Sequence, residues 1–152
     1  MAARKALGLE GVVIDVDVME ISGLEAAETR SFSVRVAGPA ALVVAKLHKL
    51  QERLQVGKAD RIADKDASDV YRIMQAVPVE DFLVRLRPLL ADPIAKGPTT
   101  AAVRFLGELF GARASHGVQM AVEALRVGVP ADRVQAVCTS FVREVRDGLG
   151  GS

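Results

Sequence analysis

Hydrophobic residues recur at every second position in residues 11–37 and at every third or fourth position beyond residue 38. Alternation places successive side chains on opposite sides of a strand, whereas the longer period places them on one side of a helix. The pattern therefore predicts an α+β fold in which a β-hairpin, residues 1–37, packs on a mostly helical region, residues 38–152. No linker separates the two parts, so we expect one compact domain.

Two segments rich in β-branched residues predict the strands of the hairpin. In residues 11–21, Ile14, Val16 and Val18 occupy one side, and Asp15 and Asp17 occupy the other. Residues 30–37 alternate in the same way. A two-stranded hairpin is only marginally stable by itself. We therefore expect these strands to lie against helices or to join a sheet that a partner, or missing residues, would complete.

The remaining chain predicts helices separated by glycine and proline. Gly38 and Pro39 end the second strand and start the first helix, because proline is tolerated in a first helical turn. The charged residues 57–64 predict a loop, with Asp64 as N-cap of the following helix. The predicted helices cover residues 40–55, 65–76, 79–91, 99–112, 116–127 and 131–149.

Composition restricts the possible partners. The 152 residues include 20 basic and 19 acidic side chains, a net charge of +1, so any site for a polyanion must be local. The sequence has no long apolar run for a membrane span or a secretion signal, which favours a cytoplasmic protein. Its single cysteine, Cys138, fits a reducing compartment, and we expect it to be a small buried hydrophobic residue.

A basic stripe lies on the first predicted helix. Lys46, Lys49 and Arg53 are spaced i, i+3 and i+7, so they share one face, next to an apolar face that includes Leu47 and Leu50. Ammonium and guanidinium groups in this arrangement can hold the oxygens of a nucleoside triphosphate. The alternative is a solvated charged face, which is common on helices.

Two acids on the next helix could pair with this stripe. Asp66 and Asp69 are spaced i and i+3, and Val70 and Ile73 continue their side, which turns both acids towards the interior. A buried carboxylate needs a cation, and the basic stripe could supply it. The alternative is that acids early in a helix merely complement the helix dipole, an explanation that is weaker for Asp69.

Asp15 and Asp17 are two residues apart on a predicted strand and therefore project from the same face. Such a pair could bind divalent metal, and Mg²⁺ prefers these oxygen ligands. The alternative is the polar, solvent-facing side of an edge hairpin. His48 is expected to be a surface or partly buried residue, and His116 to lie near a helix start. Phosphate-binding glycine loops, His-Glu-x-x-His and triad motifs are absent from the sequence.

The order of these segments resembles the second half of the AbiEii-type (abortive infection) nucleotidyltransferases. The similarity covers residues 12–74: a strand with Asp-x-Asp, a hairpin, a helix with Ala-Lys-Leu and Arg53, and a Lys-Asp-x-x-Asp-Val-Tyr segment. The resemblance implies that Asp15 or Asp17 binds metal, that Lys46 contacts the nucleotide and that Asp66 is the late catalytic aspartate. Asp69 would be the structural second acid of that segment.

The implied activity is Mg²⁺-dependent transfer of a nucleotide from a nucleoside triphosphate to a hydroxyl of protein or RNA. The family also requires an earlier Gly-Ser and Asp-x-Asp segment, and residues 1–10 do not contain it. We therefore expect an incomplete nucleotidyltransferase domain with little or no activity alone. The alternative is a non-catalytic interaction module that binds an antitoxin-like partner or a second copy, and an exposed apolar hairpin surface would favour that alternative.

Overall fold

The computed structural model describes residues 7–24, 29–57 and 61–150, and the side chains in these ranges except those of residues 61–63. Several predictions fall partly outside the described residues. They concern the connection between the strands, part of the charged loop, the terminal residues 151–152 and the first six positions searched for a Gly-Ser pattern.

The predicted hairpin is confirmed, with a later start. Strands β1 (Val16–Ser22) and β2 (Ser31–Ala37) pair antiparallel, and Val16 lies opposite Ala37. The expected strand from residue 11 is wrong, because Glu10–Val13 form a short 3-10 helix. Since β2 ends opposite Val16, residues 11–15 have no neighbouring strand to pair with. The amides of Ile14 and Asp15 instead both donate to the carbonyl of Gly11, each at 3.0 Å.

In the part of the chain that the structure describes, six helices follow the hairpin, in agreement with the α+β prediction. They are α1 (Pro39–Gln55), α2 (Arg61–Ala76), α3 (Val79–Ala91), α4 (Lys96–Phe110), α5 (His116–Leu125) and α6 (Ala131–Gly150). The prediction that Asp64 caps α2 is wrong, because α2 already begins at Arg61 and Asp64 lies in its first turn. That prediction followed charge alone, and nothing in residues 61–64 opposes a helix.

The helices enclose one hydrophobic core. The apolar stripe of α1 is buried as predicted, with Leu47 and Leu50 almost fully inaccessible, and α1 packs against α2, α3 and α4. Phe82 of α3 meets Phe141 of α6 edge to face, with ring centroids 5.1 Å apart. Cys138 is buried as expected, and burial raises the pKa of its thiol to about 12. No helix in the described ranges is both long and apolar enough to cross a bilayer.

Only the foot of the hairpin joins this core. The first two residues of β1, Val16 and Asp17, and the last two of β2, Val36 and Ala37, are half-buried, whereas the rest of both strands is exposed. One face of the hairpin carries Asp17 near the helices and apolar side chains at its distal end. We call this distal apolar part the hairpin face. It consists of the cross-strand pairs Met19 with Val34 and Ile21 with Phe32, which are between 37% and 64% exposed.

Candidate functional site

Five charged side chains join α1 to α2 in what we call the α1–α2 charge cluster. Lys46 Nζ donates to Asp66 Oδ1 at 2.8 Å and to Asp69 Oδ2 at 2.7 Å. Lys49 Nζ forms an ion pair with Asp66 Oδ2 at 2.9 Å. Arg72 Nη1 donates to Asp69 Oδ1 at 2.9 Å. Lys46 and Lys49 of the predicted basic stripe therefore face these acids, whereas the contacts of Asp66 and Asp69 do not include Arg53.

Helical spacing explains why the cluster forms. Val70 and Ala67 are buried in the core, so this side of α2 faces the interior. Asp66 lies on the same side and is therefore only 3% exposed. Because α2 begins at Arg61, Asp66 and Asp69 lie beyond its first turn. Complementation of the helix dipole, which falls off within the first turn, does not account for them. Their ion pairs with Lys46 and Lys49 of α1 account for them instead.

The charges in the cluster shift each other's protonation equilibria. Burial by itself would raise the pKa of Asp66, but hydrogen bonds and charge interactions with Lys46 and Lys49 outweigh it, so this pKa lies below 3.8. Burial by itself would lower the pKa of Lys46, but Asp66 and Asp69 outweigh it, so this pKa lies above 10.5. Both groups are therefore charged at neutral pH, and neither is adjusted to exchange protons there.

Asp15 has a different partner. Its Oδ1 accepts a hydrogen bond from Arg85 Nη1 at 2.8 Å, and its Oδ2 accepts one from the amide of Ala41 at 2.9 Å. The second bond caps the first turn of α1, where Gly38 has no side chain to do so. A Cβ on Gly38 would collide with the Asp15 carboxylate. Asp15 thus fastens the start of α1 to α3.

Asp17 contacts the same arginine, with Arg85 Nη2 donating to Asp17 Oδ1 at 2.6 Å. These hydrogen bonds favour the charged guanidinium and raise the pKa of Arg85. The two acids predicted to bind Mg²⁺ therefore both face a cation of the protein. Within the described ranges, no group of three or more His, Cys, Asp or Glu side chains could hold a metal ion.

The two groups of acids lie apart. Asp15 contacts α1 at Ala41, whereas Asp66 contacts α1 at Lys46. These two α1 residues are five positions apart, which is about 8 Å along the helix axis and more than a third of a turn around it. Asp17 lines a cavity of about 430 Å³ at the hairpin foot. Lys46 and Lys49 line another, of about 690 Å³, and neither cavity contains residues of both groups.

The larger cavity, which we call the α1–α4 cavity, lies over the outer face of α1. Its walls are mainly apolar and come from three segments: Leu7 and Leu9 before the hairpin, Leu42 on α1, and Ala101 and Phe105 on α4. The charged side chains in its lining, Lys46, Lys49 and Glu52, all come from α1. Arg53, the third residue of the predicted phosphate-binding set, is half-buried and is outside this lining.

The two histidines behave as expected for structural residues. His48 is partly buried, its Nε2 donates to the carbonyl of Pro98 at 2.8 Å, and its ring meets Phe105 edge to face. His116 begins α5 next to Ser115. The residue that sequence reasoning missed is Arg85. It lies 70 positions after Asp15 in a helix of mixed composition, and no spacing rule connects residues so far apart.

Comparison with known protein families, with curated proteins and with solved structures found no match. The resemblance to the AbiEii-type nucleotidyltransferases therefore stays a prediction.

Proposed function

We propose that this protein is a non-catalytic interaction module that associates with a second copy through the hairpin face. One observation carries the proposal: Met19, Ile21, Phe32 and Val34 form a contiguous apolar surface that the helices leave uncovered. Contiguous exposed apolar surface marks interaction sites on soluble proteins. The buried Cys138 thiol is compatible with the cytoplasmic location expected from the sequence.

The hairpin face is suited to stacking on an identical face. Two sheets pack about 10 Å apart when apolar side chains interdigitate between them. A twofold axis would bring the same patch of both copies together, which is the commonest arrangement in homodimers. Asp17, the charge at the foot of this side, is already paired with Arg85, so its carboxylate brings no unpaired charge to the stacked faces.

The surface continues beyond the hairpin onto the helices. The cavity at the hairpin foot is lined by Asp17, by the corner between α2 and α3 that includes Pro78, and by Val84 of α3. Val84 is 64% exposed. A second hairpin stacked on the first can extend into this corner, which adds buried area to the four side chains of the hairpin face. The opposite side, by contrast, carries Arg35 and a hydrogen bond from Ser33 to Glu20.

Sedimentation velocity from micromolar to millimolar concentration tests the proposal. We expect the unmodified protein to form dimers with increasing concentration. Phe32→Glu should weaken dimerisation about a hundredfold or more, because it buries an unpaired charge in the interface, a change of about 3 kcal/mol. The matched control is Val18→Glu, at an equally exposed position on the opposite side of the hairpin, which should leave the dimer intact.

Two results would overturn self-association through the hairpin face. One is a chain that remains monomeric at every concentration. The other is equal weakening by Phe32→Glu and Val18→Glu, which would place the contact elsewhere. Circular dichroism of both variants should match that of the unmodified protein, because both side chains project into solvent.

A second proposal is nucleotide binding, the property expected from the resemblance. Its support is the position of Lys46 and Lys49 on the α1–α4 cavity, with Asp66 beside them. Its weakness is charge, since three cations of the cluster face two carboxylates and leave only +1 for a triphosphate. Titration calorimetry with Mg²⁺ and each nucleoside triphosphate tests it: binding that Lys49→Ala abolishes supports it, and no heat in the unmodified protein rejects it.

A further inference from the structure

We propose that the α1–α4 cavity binds an uncharged, mainly apolar small molecule that carries a hydroxyl or carbonyl group. This site is separate from the hairpin face and does not depend on self-association. The cavity volume of about 690 Å³ lies within the range of small-molecule sites, roughly 300–1,000 Å³. Such sites combine apolar walls with a few polar groups that orient the ligand, and the lining of this cavity supplies both.

The walls select an apolar body. Leu7 and Leu9 precede the hairpin, Leu42 lies on α1 and Phe105 on α4, and all four line the same space. The three leucines are between 40% and 55% exposed, so they hold apolar area that a ligand would remove from water. Removal of apolar area from water is the main favourable contribution to binding in such a site.

Gly8 holds the segment before the hairpin against α1, so this wall exists before any ligand binds. Its φ of +90° is a left-handed conformation that other residues rarely adopt. A Cβ at this position would lie 2.7 Å from Cδ2 of His48. The His48 ring is itself held by the carbonyl of Pro98 at 2.8 Å and by the edge-to-face contact with Phe105. A ligand therefore meets a formed site, and little ordering of the protein opposes binding.

The charges at the cavity balance one another. The α1–α2 charge cluster contains three cations and two carboxylates. Glu52 lines the cavity one helical turn from Lys49 and adds a third carboxylate. No charge of either sign is then left over for a ligand. Because an ion placed against apolar walls without a counter-charge is unfavourable, the site favours an uncharged molecule over an anion or a cation.

Two side-chain amides supply hydrogen bonds without charge. Gln51 and Gln55 line the cavity and are four residues apart on α1. In the part of the chain that the structure describes, neither side chain has a hydrogen-bond partner. An amide both donates and accepts, so it can bond a hydroxyl or a carbonyl group of the ligand.

An NMR titration with three probes of equal chain length tests the proposal: 1-octanol, octanoate and octylammonium, each below its micelle concentration. We expect octanol to bind saturably, with chemical-shift changes at the backbone amides of Ala45, Lys49 and Ala101. Octanoate and octylammonium should each bind about fivefold more weakly or worse, because neither finds an unbalanced counter-charge. 1-Hexanol should bind roughly tenfold more weakly than octanol, because two methylene groups fewer are buried.

Two variants of the lining test the charge balance directly. Glu52→Gln leaves one cation over and should strengthen octanoate binding about threefold. Lys49→Gln leaves one carboxylate over and should strengthen octylammonium binding by about the same factor. Neither variant should change the affinity for octanol. A loss of octanol binding in both variants would show that the charges select the ligand, contrary to the proposal.

A wall variant and its matched control complete the test. Leu42→Ser removes apolar wall area and should weaken octanol binding about fivefold. Ile94→Ser, at a position that is 74% exposed and outside the cavity lining, should bind octanol normally. Equal losses in these two variants, absence of saturable octanol binding, shift changes confined to the hairpin, or tighter binding of either ion than of octanol would overturn the proposal. Thermal melts of each variant exclude unfolding as the cause of lost binding.

Discussion

At the scale of single residues, each of the two buried acids in the described ranges, Asp15 and Asp66, has a cation that keeps it charged. Asp66 has Lys46 and Lys49, and Asp15 has Arg85. The Asp66 pairing could be predicted from sequence, because both helices carry their charges at helical spacing beside an apolar stripe. The Asp15 pairing could not, since Arg85 carries no local signal that it faces the hairpin.

The charge on Asp66 should make stability depend on pH. Its native pKa lies below the ordinary value of 3.8, so its contribution is complete above pH 3.8 and is lost as pH falls through the lower native value. Asp66→Asn should lower the free energy of unfolding by about 2 kcal/mol at neutral pH. It should also flatten the acid side of the stability curve, measured by urea denaturation between pH 2 and 7.

Asp147→Asn provides the matched control for that measurement. Asp147 is exposed near the end of α6, so its removal should change the free energy of unfolding by less than about 0.5 kcal/mol. If Asp66→Asn retained the acid dependence of the unmodified protein, the ion pairs with Lys46 and Lys49 would not be a source of stability.

At the scale of elements, Asp15 and Arg85 fasten the hairpin to the start of α1 and to α3. The amide of Gly38 donates to the carbonyl of Asp15 at 2.8 Å, and the Asp15 carboxylate caps α1. The bounds of α3 and of the α1 apolar stripe follow from the sequence, because periodicity is local. The start of β1 does not, because it depends on where β2 ends and the pairing stops.

Removal of Arg85 should loosen this junction. Arg85→Met leaves the buried Asp15 carboxylate without a cation and should lower the free energy of unfolding by about 3 kcal/mol. Adding Asp15→Asn to Arg85→Met should recover part of this loss, because no buried charge then remains. Urea denaturation of both single variants and the double variant gives the coupling energy.

Arg87→Met is the appropriate comparison, since Arg87 is exposed on the same helix two residues later. Equal losses for Arg85→Met and Arg87→Met would mean that the pair with Asp15 contributes nothing specific.

At the scale of the whole molecule, the core belongs to the helices and the hairpin extends from it. Phe82 of α3 is 1% exposed, whereas Phe32 of β2 is 64% exposed. The same residue type therefore serves two purposes: one phenylalanine stabilises the fold, and the other lies on the surface proposed to bind a second copy.

Truncating each phenylalanine should separate these purposes. Phe82→Ala should lower the free energy of unfolding by about 3–5 kcal/mol, as for other buried phenylalanines. Phe32→Ala, measured at concentrations where the chain is monomeric, should lower it by less than about 0.5 kcal/mol. A loss above about 2 kcal/mol for Phe32→Ala would show that the hairpin face packs within a single chain. That result would remove the basis of the proposed self-association.

The sequence by itself determined the hairpin, the helices and the sides that the helices bury, and it indicated that Lys46 could pair with Asp66. These features follow from the period at which apolar and charged residues recur within each element, because that period decides which side chains share a face. Only the tertiary structure decided that Arg85 holds Asp15 and Asp17, that the α1–α4 cavity adjoins Lys49 and that the hairpin face is uncovered. Each of these depends on how separate elements are placed against one another, and no spacing along the chain encodes that placement.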